Sequence, residues 1–130
     1  IVIDFETANQ KRISACALGL VFIKNDRVAY QTNFYIKPPE SEQFSNRNIG
    51  IHGITAEDVD YAMTFDELWE SELSKYFNQN LIVFHNASMD LSVLKNLAES
   101  FLENESACFV MLINFNMINN KNCLSYLWQR

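Results

Sequence analysis

Two apolar-rich runs, Ile13 to Lys24 and Arg27 to Lys37, are separated by only two residues, Asn25 and Asp26. No other feature of the chain limits its fold as tightly. Asn and Asp tolerate left-handed backbone, and a two-residue connection between strand-like segments closes an antiparallel hairpin. Pro38-Pro39 then stops the second run, because a proline ring has no N–H to give to a ladder. A shorter alternating run, Ile1 to Glu6, precedes the hairpin. Together the three runs predict an antiparallel meander.

Beyond the prolines the period of the sequence changes. A polar connector, Glu40 to Asn48, leads to a segment where Thr64 or Asp66 can cap a helix. Its apolar positions Phe65, Leu68, Trp69, Leu73, Tyr76 and Phe77 follow helical spacing. Leu81 to Phe84 is expected to be a brief buried strand. A second helix is expected from about Ser88 to Leu102, with Leu94, Leu97, Ala98 and Phe101 on one face. Phe109 to Ile113 reads as a fifth strand, and Cys123 to Trp128 begins another helix. The order β-β-β-α-β-α-β-α predicts an α/β domain, a mixed sheet flanked by helices.

The 130 residues suit one domain, and the 48% hydrophobic content is enough to build its core. No apolar run reaches the roughly 20 residues needed to span a bilayer, so no membrane is expected as a partner. The three cysteines, Cys16, Cys108 and Cys123, include no C-x-x-C pair. Their number and spacing exclude a disulfide framework and a cysteine-rich zinc site, and favour a reducing, cytoplasmic setting.

The chemistry begins with Asp4-Phe5-Glu6-Thr7. Strand alternation puts Asp4 and Glu6 on one face, Cα atoms roughly 7 Å apart, with Phe5 on the other. Two acids there repel each other and cost desolvation energy, which a bound cation relieves. The blander reading is a strand end with two solvated acids. Asp90 adds weight to the first, because it shares one helical stripe with Leu94, Leu97 and Phe101. It could still be a first-turn acid facing water. Three convergent carboxylates suit Mg²⁺ or Mn²⁺ better than zinc, and two such ions suit phosphodiester hydrolysis.

At these residues the chain resembles a known family. Asp4-Phe5-Glu6-Thr7 resembles the first motif of the DEDD (DnaQ-like) 3′–5′ exonucleases, whose members include the proofreading epsilon subunit of bacterial DNA polymerase III. Ile51-His52-Gly53-Ile54-Thr55, followed by Glu57-Asp58-Val59, resembles the segment between the first and second motifs. His85-Asn86-Ala87-Ser88-Met89-Asp90 resembles the second, with Met89 where Phe is usual. The run from Asp4 to Cys16, with Asn9, Arg12, Ser14 and Ala15, is similar to an epsilon-like bacterial branch.

The resemblance covers about residues 1 to 105 and implies an RNase H-like fold. It implies Asp4, Glu6 and Asp90 as catalytic metal ligands for two Mg²⁺ or Mn²⁺ ions. Thr7, Ala8, His52, His85, Asn86 and Met89 would lie against the substrate. That substrate would be the 3′ end of single-stranded DNA or RNA, with a DNA polymerase or a fused domain as companion. On the residues alone, either histidine reads equally as a hydrogen-bonded structural residue. Asn86 and Ser88 both suit a helix cap. Phe5 and Met89 are candidate base wedges, though Phe5 also suits the core.

The family's third motif, a His or Tyr followed by an Asp, is absent, since no Asp or His follows Asp90. Tyr126 fails as a substitute, because Arg130 stands where its Asp should be. With no initiating Met either, residues 1–130 are expected to be a single domain incomplete at its C-terminus. The net charge of −6 argues against tight binding of long duplexes through phosphate neutralisation. It leaves a cation-dependent end-trimming enzyme open. A catalytically inactive relative that binds nucleic acid or a protein is the alternative. An aspartyl-phosphate phosphatase of the D-x-D-x-T type is disfavoured, because Glu6 replaces its second Asp.

Overall fold

The structure is a computed structural model that describes residues 1–77 and 80–103, with side chains as far as Ser100. The expected strand 109–113, the expected helix 123–128 and the Phe101 side chain lie outside the described residues. The meander forms: β1 (Val2–Thr7), β2 (Ala15–Lys24) and β3 (Arg27–Tyr35) pair antiparallel in sequence. Asn25 and Asp26 have φ of 52° and 58°, the left-handed pair that a tight hairpin of this hand requires. A two-residue strand, β4 (Val83–Phe84), joins β1 in parallel. The sheet order is β3-β2-β1-β4, so β1 lies inside the sheet. The sheet is mixed, as expected.

Strand limits differ from the expected ones for local reasons. β2 starts at Ala15 because Ser14 is occupied in a turn, its hydroxyl donating to Lys11 O at 2.7 Å. β3 stops at Tyr35, and the Ile36 and Lys37 N–H groups are taken by Cys16 O and Met63 O. The polar connector also hides a helix, α1 (Asn46–His52), whose cap residue Ser45 accepts from Asn48 N–H. Gly53 ends it at φ 74°, where a side chain would be strained, and returns its N–H to Ile49 O. A short 3-10 turn, Glu57–Val59, follows.

The next helical stretch comprises α2 (Phe65–Leu68), a π-helical turn Trp69–Leu73 and α3 (Ser74–Phe77). Thr64 precedes α2 and donates its N–H to Glu67 Oε2 at 3.0 Å, so Thr64 rather than Asp66 is the cap. In the π turn the Ser71 hydroxyl bonds back to Glu67 O at 2.8 Å, a contact that competes with regular helix geometry. The last described element, α4 (Ala87–Glu103), is the expected second helix, one residue longer at each end.

Two apolar clusters hold these parts together. The larger joins Ile3, Phe5, Leu18, Leu20 and Ile36 of the sheet side to Phe65, Leu68, Trp69 and Leu73 and to Val93, Leu94 and Leu97 of α4. A row of tilted rings, Phe5–Phe65–Trp69–Phe77, runs through it at centroid spacings of 6.5, 5.9 and 4.9 Å. The smaller joins Ala8, Cys16 and Ala17 to Ile54 and Val59. Burial of each large side chain contributes about 1.5–3 kcal/mol, which fixes α4 and β1 against each other.

Candidate active site

Alternation along β1 sends Ile3 and Phe5 into the larger cluster and leaves Asp4 and Glu6 half-buried between them. Phe5 is 2% exposed, so it is a core residue and not a base wedge. Asp4 and Glu6 face Gly19 and Ala17 on β2, residues too small to crowd a carboxylate.

α4 supplies the third acid. The ladder between β1 and β4 stops at Ile3 opposite Phe84, so β4 does not reach the N–H of Phe5. Asp90 takes that N–H with Oδ1 at 3.2 Å and the Asn86 N–H with Oδ2 at 2.9 Å. Its side chain is fully buried, not turned to water. The peptide N–H it binds lies between Asp4 and Glu6 in sequence, which brings Asp90 to the stretch of β1 that bears them.

The electrostatics record that convergence. Burial first, and then the charges of Asp4 and Asp90, push the Glu6 carboxyl up to about 7. Burial likewise pushes Asp90 up to about 6, with Asp4 adding to the rise. The hydrogen bonds from Phe5 and Asn86 and the nearby His85 oppose it without cancelling it. Buried carboxylates pushed this way are short of positive charge. His85 Nδ1 stands 3.9 Å from Asp4 Oδ1, beyond hydrogen-bond reach.

Among the described residues, no three His, Cys, Asp or Glu side chains are grouped closely enough to hold a metal ion as they stand. The donor chemistry nonetheless fits a hard divalent cation. Glu6 and Asp90 are both pushed up, burial first and the charge of Asp4 after it, and a bound cation would favour their ionised forms. Cys16 beneath them is no ligand: burial and the Glu6 charge push its thiol up to about 12.

The remaining candidates divide into two groups. Asn86 and Met89 flank Asp90, Asn86 as the residue before α4 and Met89 packed partly on the larger cluster. Asn86 Oδ1 lies 3.4 Å from Met89 N–H, so Asn86 rather than Ser88 occupies the cap position. Thr7 and Ala8 continue β1 past Glu6 and are both buried. His52 is 8% exposed and stands behind Thr7. Its Nδ1 accepts the Ile54 N–H at 3.0 Å, so Nε2 carries the proton and donates to Thr7 O at 3.1 Å. Both its ring nitrogens are thus engaged inside the protein.

Sequence reasoning missed Asn48. Its Nδ2 donates to Thr7 O at 2.8 Å, Thr7 Oγ1 at 3.3 Å and Asn9 O at 3.2 Å. The signal was present in Ser45-x-x-Asn48, a capping pattern, and in the four-residue spacing of Asn48 and His52.

The sequence matches the exonuclease family RNase_T over residues 1–127, nearly its whole length. The chain belongs to this exonuclease family. No curated protein sequence matches it. Solved structures of exonucleases share its fold. One is exonuclease X in complex with 5′-overhanging duplex DNA, with 23% identity, TM-score 0.58, and cover of 71% of this chain and 51% of that one. Another is the nuclease domain of 3′hExo, a DEDDh family member bound to rAMP, with 18% identity, TM-score 0.65, and cover of 78% and 58%. The metal-free E. coli exonuclease I–single-stranded DNA complex gives 15% identity, TM-score 0.70, and cover of 92% and 27%. The chain therefore spans little more than half of the first two and about a quarter of the third. Its sheet and helices are those of the RNase H-like exonuclease fold. Among the described residues, no helix of this exonuclease-family chain is long and apolar enough to cross a membrane.

Proposed function

We propose that this chain is the metal-binding part of a 3′–5′ exonuclease that hydrolyses phosphodiester bonds at single-stranded ends. The observation that carries the reading is the hydrogen bond from Phe5 N–H to the buried Asp90. It draws a helix-borne acid to the strand that bears Asp4 and Glu6. Asp4, Glu6 and Asp90 would hold Mg²⁺ or Mn²⁺. Such ions supply Lewis acidity to a phosphate oxygen and a bound water of lowered pKa.

The protein's own part is to hold three carboxylates together against their repulsion and to seat the strand end beside them. His85 stands where it can meet a phosphate that approaches Asp4. Thr7 and Ala8 form the strand end next to the terminal nucleotide, with His52 holding it from behind. Asn86 and Met89 border the approach from α4. The substrate is single-stranded because a paired end could not thread into a half-buried acidic site. A proofreading or repair setting in the cytoplasm, alongside a polymerase or fused domain, agrees with the epsilon-like motifs.

The test is a 5′-labelled single-stranded oligonucleotide incubated with Mn²⁺ and either the wild-type chain or Asp4→Ala. A ladder shortening from the 3′ end, lost in the variant and in EDTA, is expected. Equal degradation by both proteins would remove Asp4 from the mechanism.

One observation favours a second reading. Residues 91–130 contain no Asp and no His, and their carboxylates are those of Glu99, Glu103 and Glu105. An inactive nucleic-acid-binding relative would bind the oligonucleotide in Mn²⁺ and release no nucleotides.

A further inference from the structure

Asp4 and Glu6 are positioned by the sheet, in register with Gly19 and Ala17. Just past Glu6 that control lapses. The register shifts, Thr7 faces Ala15, and Cys16 is left over as a bulge. The segment from Thr7 to Asn9 must be held by something else.

Ser14 takes the Ala8 and Asn9 N–H groups, and α1 with its cap takes the carbonyls. Asn48 and His52, one turn apart, both donate to Thr7 O, at 2.8 and 3.1 Å. Ser45 N–H donates to Ala8 O at 2.8 Å, and Asn48 reaches Asn9 O at 3.2 Å. Three consecutive carbonyl oxygens are thereby committed to one short helix. The Asn48 amide cannot flip to escape this role. Its Oδ1 accepts the Ser45 hydroxyl at 2.8 Å, which turns Nδ2 toward the strand end.

The arrangement matters to a polyanionic ligand. The site already carries three carboxylates, and any free carbonyl oxygen beside it would add repulsion against a phosphate. We propose that Asn48 is a positioning residue that withdraws the Thr7 and Asn9 carbonyls and sets the seat of the terminal nucleotide, independently of the metal-ligating acids. This rests on the exonuclease reading above. It separates two properties that a purely structural residue would move together. The acids keep their sheet pairing without Asn48, whereas Thr7 O and Asn9 O each lose a donor.

Asn48→Asp is the sharpest variant. It keeps the size and the acceptor for Ser45, and replaces the NH₂ donor with an oxygen aimed at two carbonyls. Binding of a short fluorescein-labelled single-stranded oligonucleotide is read by anisotropy in Ca²⁺, and Mn²⁺ affinity by water-proton relaxation. The expected result is roughly tenfold weaker oligonucleotide binding with Mn²⁺ affinity within about twofold of wild type. Ser45→Ala, which frees the amide to rotate and removes the cap on the Asn48 N–H, should show a smaller loss of about threefold at unchanged Mn²⁺ affinity, and it decides the matter if Asn48→Asp does not fold. Unchanged oligonucleotide binding in the folded variants, or Mn²⁺ affinity falling in step with it, overturns the proposal. A wild-type chain that takes up Mn²⁺ but binds no single strand overturns the exonuclease reading along with it. Wild-type binding with indifferent variants overturns the role of Asn48 alone.

Discussion

The two ends of the functional strand are held by opposite kinds of contact. On the α4 side, Asp90 is fully buried with only main-chain N–H donors, and it shares its surroundings with Asp4 and Glu6. On the α1 side, Asn48 and His52 grip Thr7 with neutral groups whose polar atoms are all matched. The first arrangement gathers acids whose carboxyls burial pushes up, and the second gathers none. A buried group with every partner supplied has nothing left to offer a ligand, whereas crowded carboxylates gain from one. On the proposed reading the chemistry belongs to the α4 side and the scaffolding to the α1 side.

The contrast can be broken most severely at Asp90. Asp90→Asn keeps the shape and one acceptor oxygen but removes the charge, and exonuclease activity in Mn²⁺ should fall at least about a hundredfold. Helical circular dichroism should survive, so that the loss is one of chemistry. Retention of near-normal turnover would mean that the buried acid is only a structural pin. A smaller effect, of a different kind, is expected at His52. His52→Ala strips hydrogen bonds from Thr7 O and Ile54 N–H in a buried place, so the chain should lose roughly 1–3 kcal/mol in urea unfolding. Its Mn²⁺ affinity should stay within about twofold of wild type, and a parallel collapse of metal binding would erase the distinction between the two sides.

The smallest expected effect is a pH dependence that belongs to the acidic side alone. Glu6 and Asp90 titrate in the folded chain at about 7 and about 6, above their ordinary values of 4.5 and 3.8. The folded state therefore holds these protons more tightly than the unfolded one. Their contribution to stability is full below the unfolded values and is lost as pH rises through 6 and 7. In EDTA, the urea midpoint should be lower at pH 8 than at pH 5, and Glu6→Gln should flatten that slope. A midpoint that climbs with pH in the wild type, and not in Glu6→Gln, would show the sign to be wrong.

The acidic side was the more legible of the two in the sequence. Alternation fixes which way Asp4 and Glu6 point, and the stripe from Asp90 through Leu94 and Leu97 already turned that acid inward. The hairpin was equally plain, because Asn25-Asp26 leaves few other conformations. The α1 side was not legible. Seven residues with Gly50 among them make too short and too polar a helix to show a period, and its cap pattern lay inside what reads as a connector. His52 looks the same in sequence whether it faces a ligand or a carbonyl. The π turn was hidden for another reason. Its apolar residues keep helical spacing, and only the Ser71 hydroxyl bond to Glu67 O marks the departure from it. Leu81 was expected in β4, but it is exposed and only its carbonyl is used, by the Ile1 terminus.

The brevity of β4 has a consequence of its own. Two residues are enough to register the strand against Val2 and Ile3, and too few to claim the next amide along. A neighbour of ordinary length would zip that amide into the sheet and leave the helix-borne acid no reason to come indoors. The short strand thus acts as a measuring stick, and lengthening it by a residue or two would turn the notch that admits Asp90 into plain fabric.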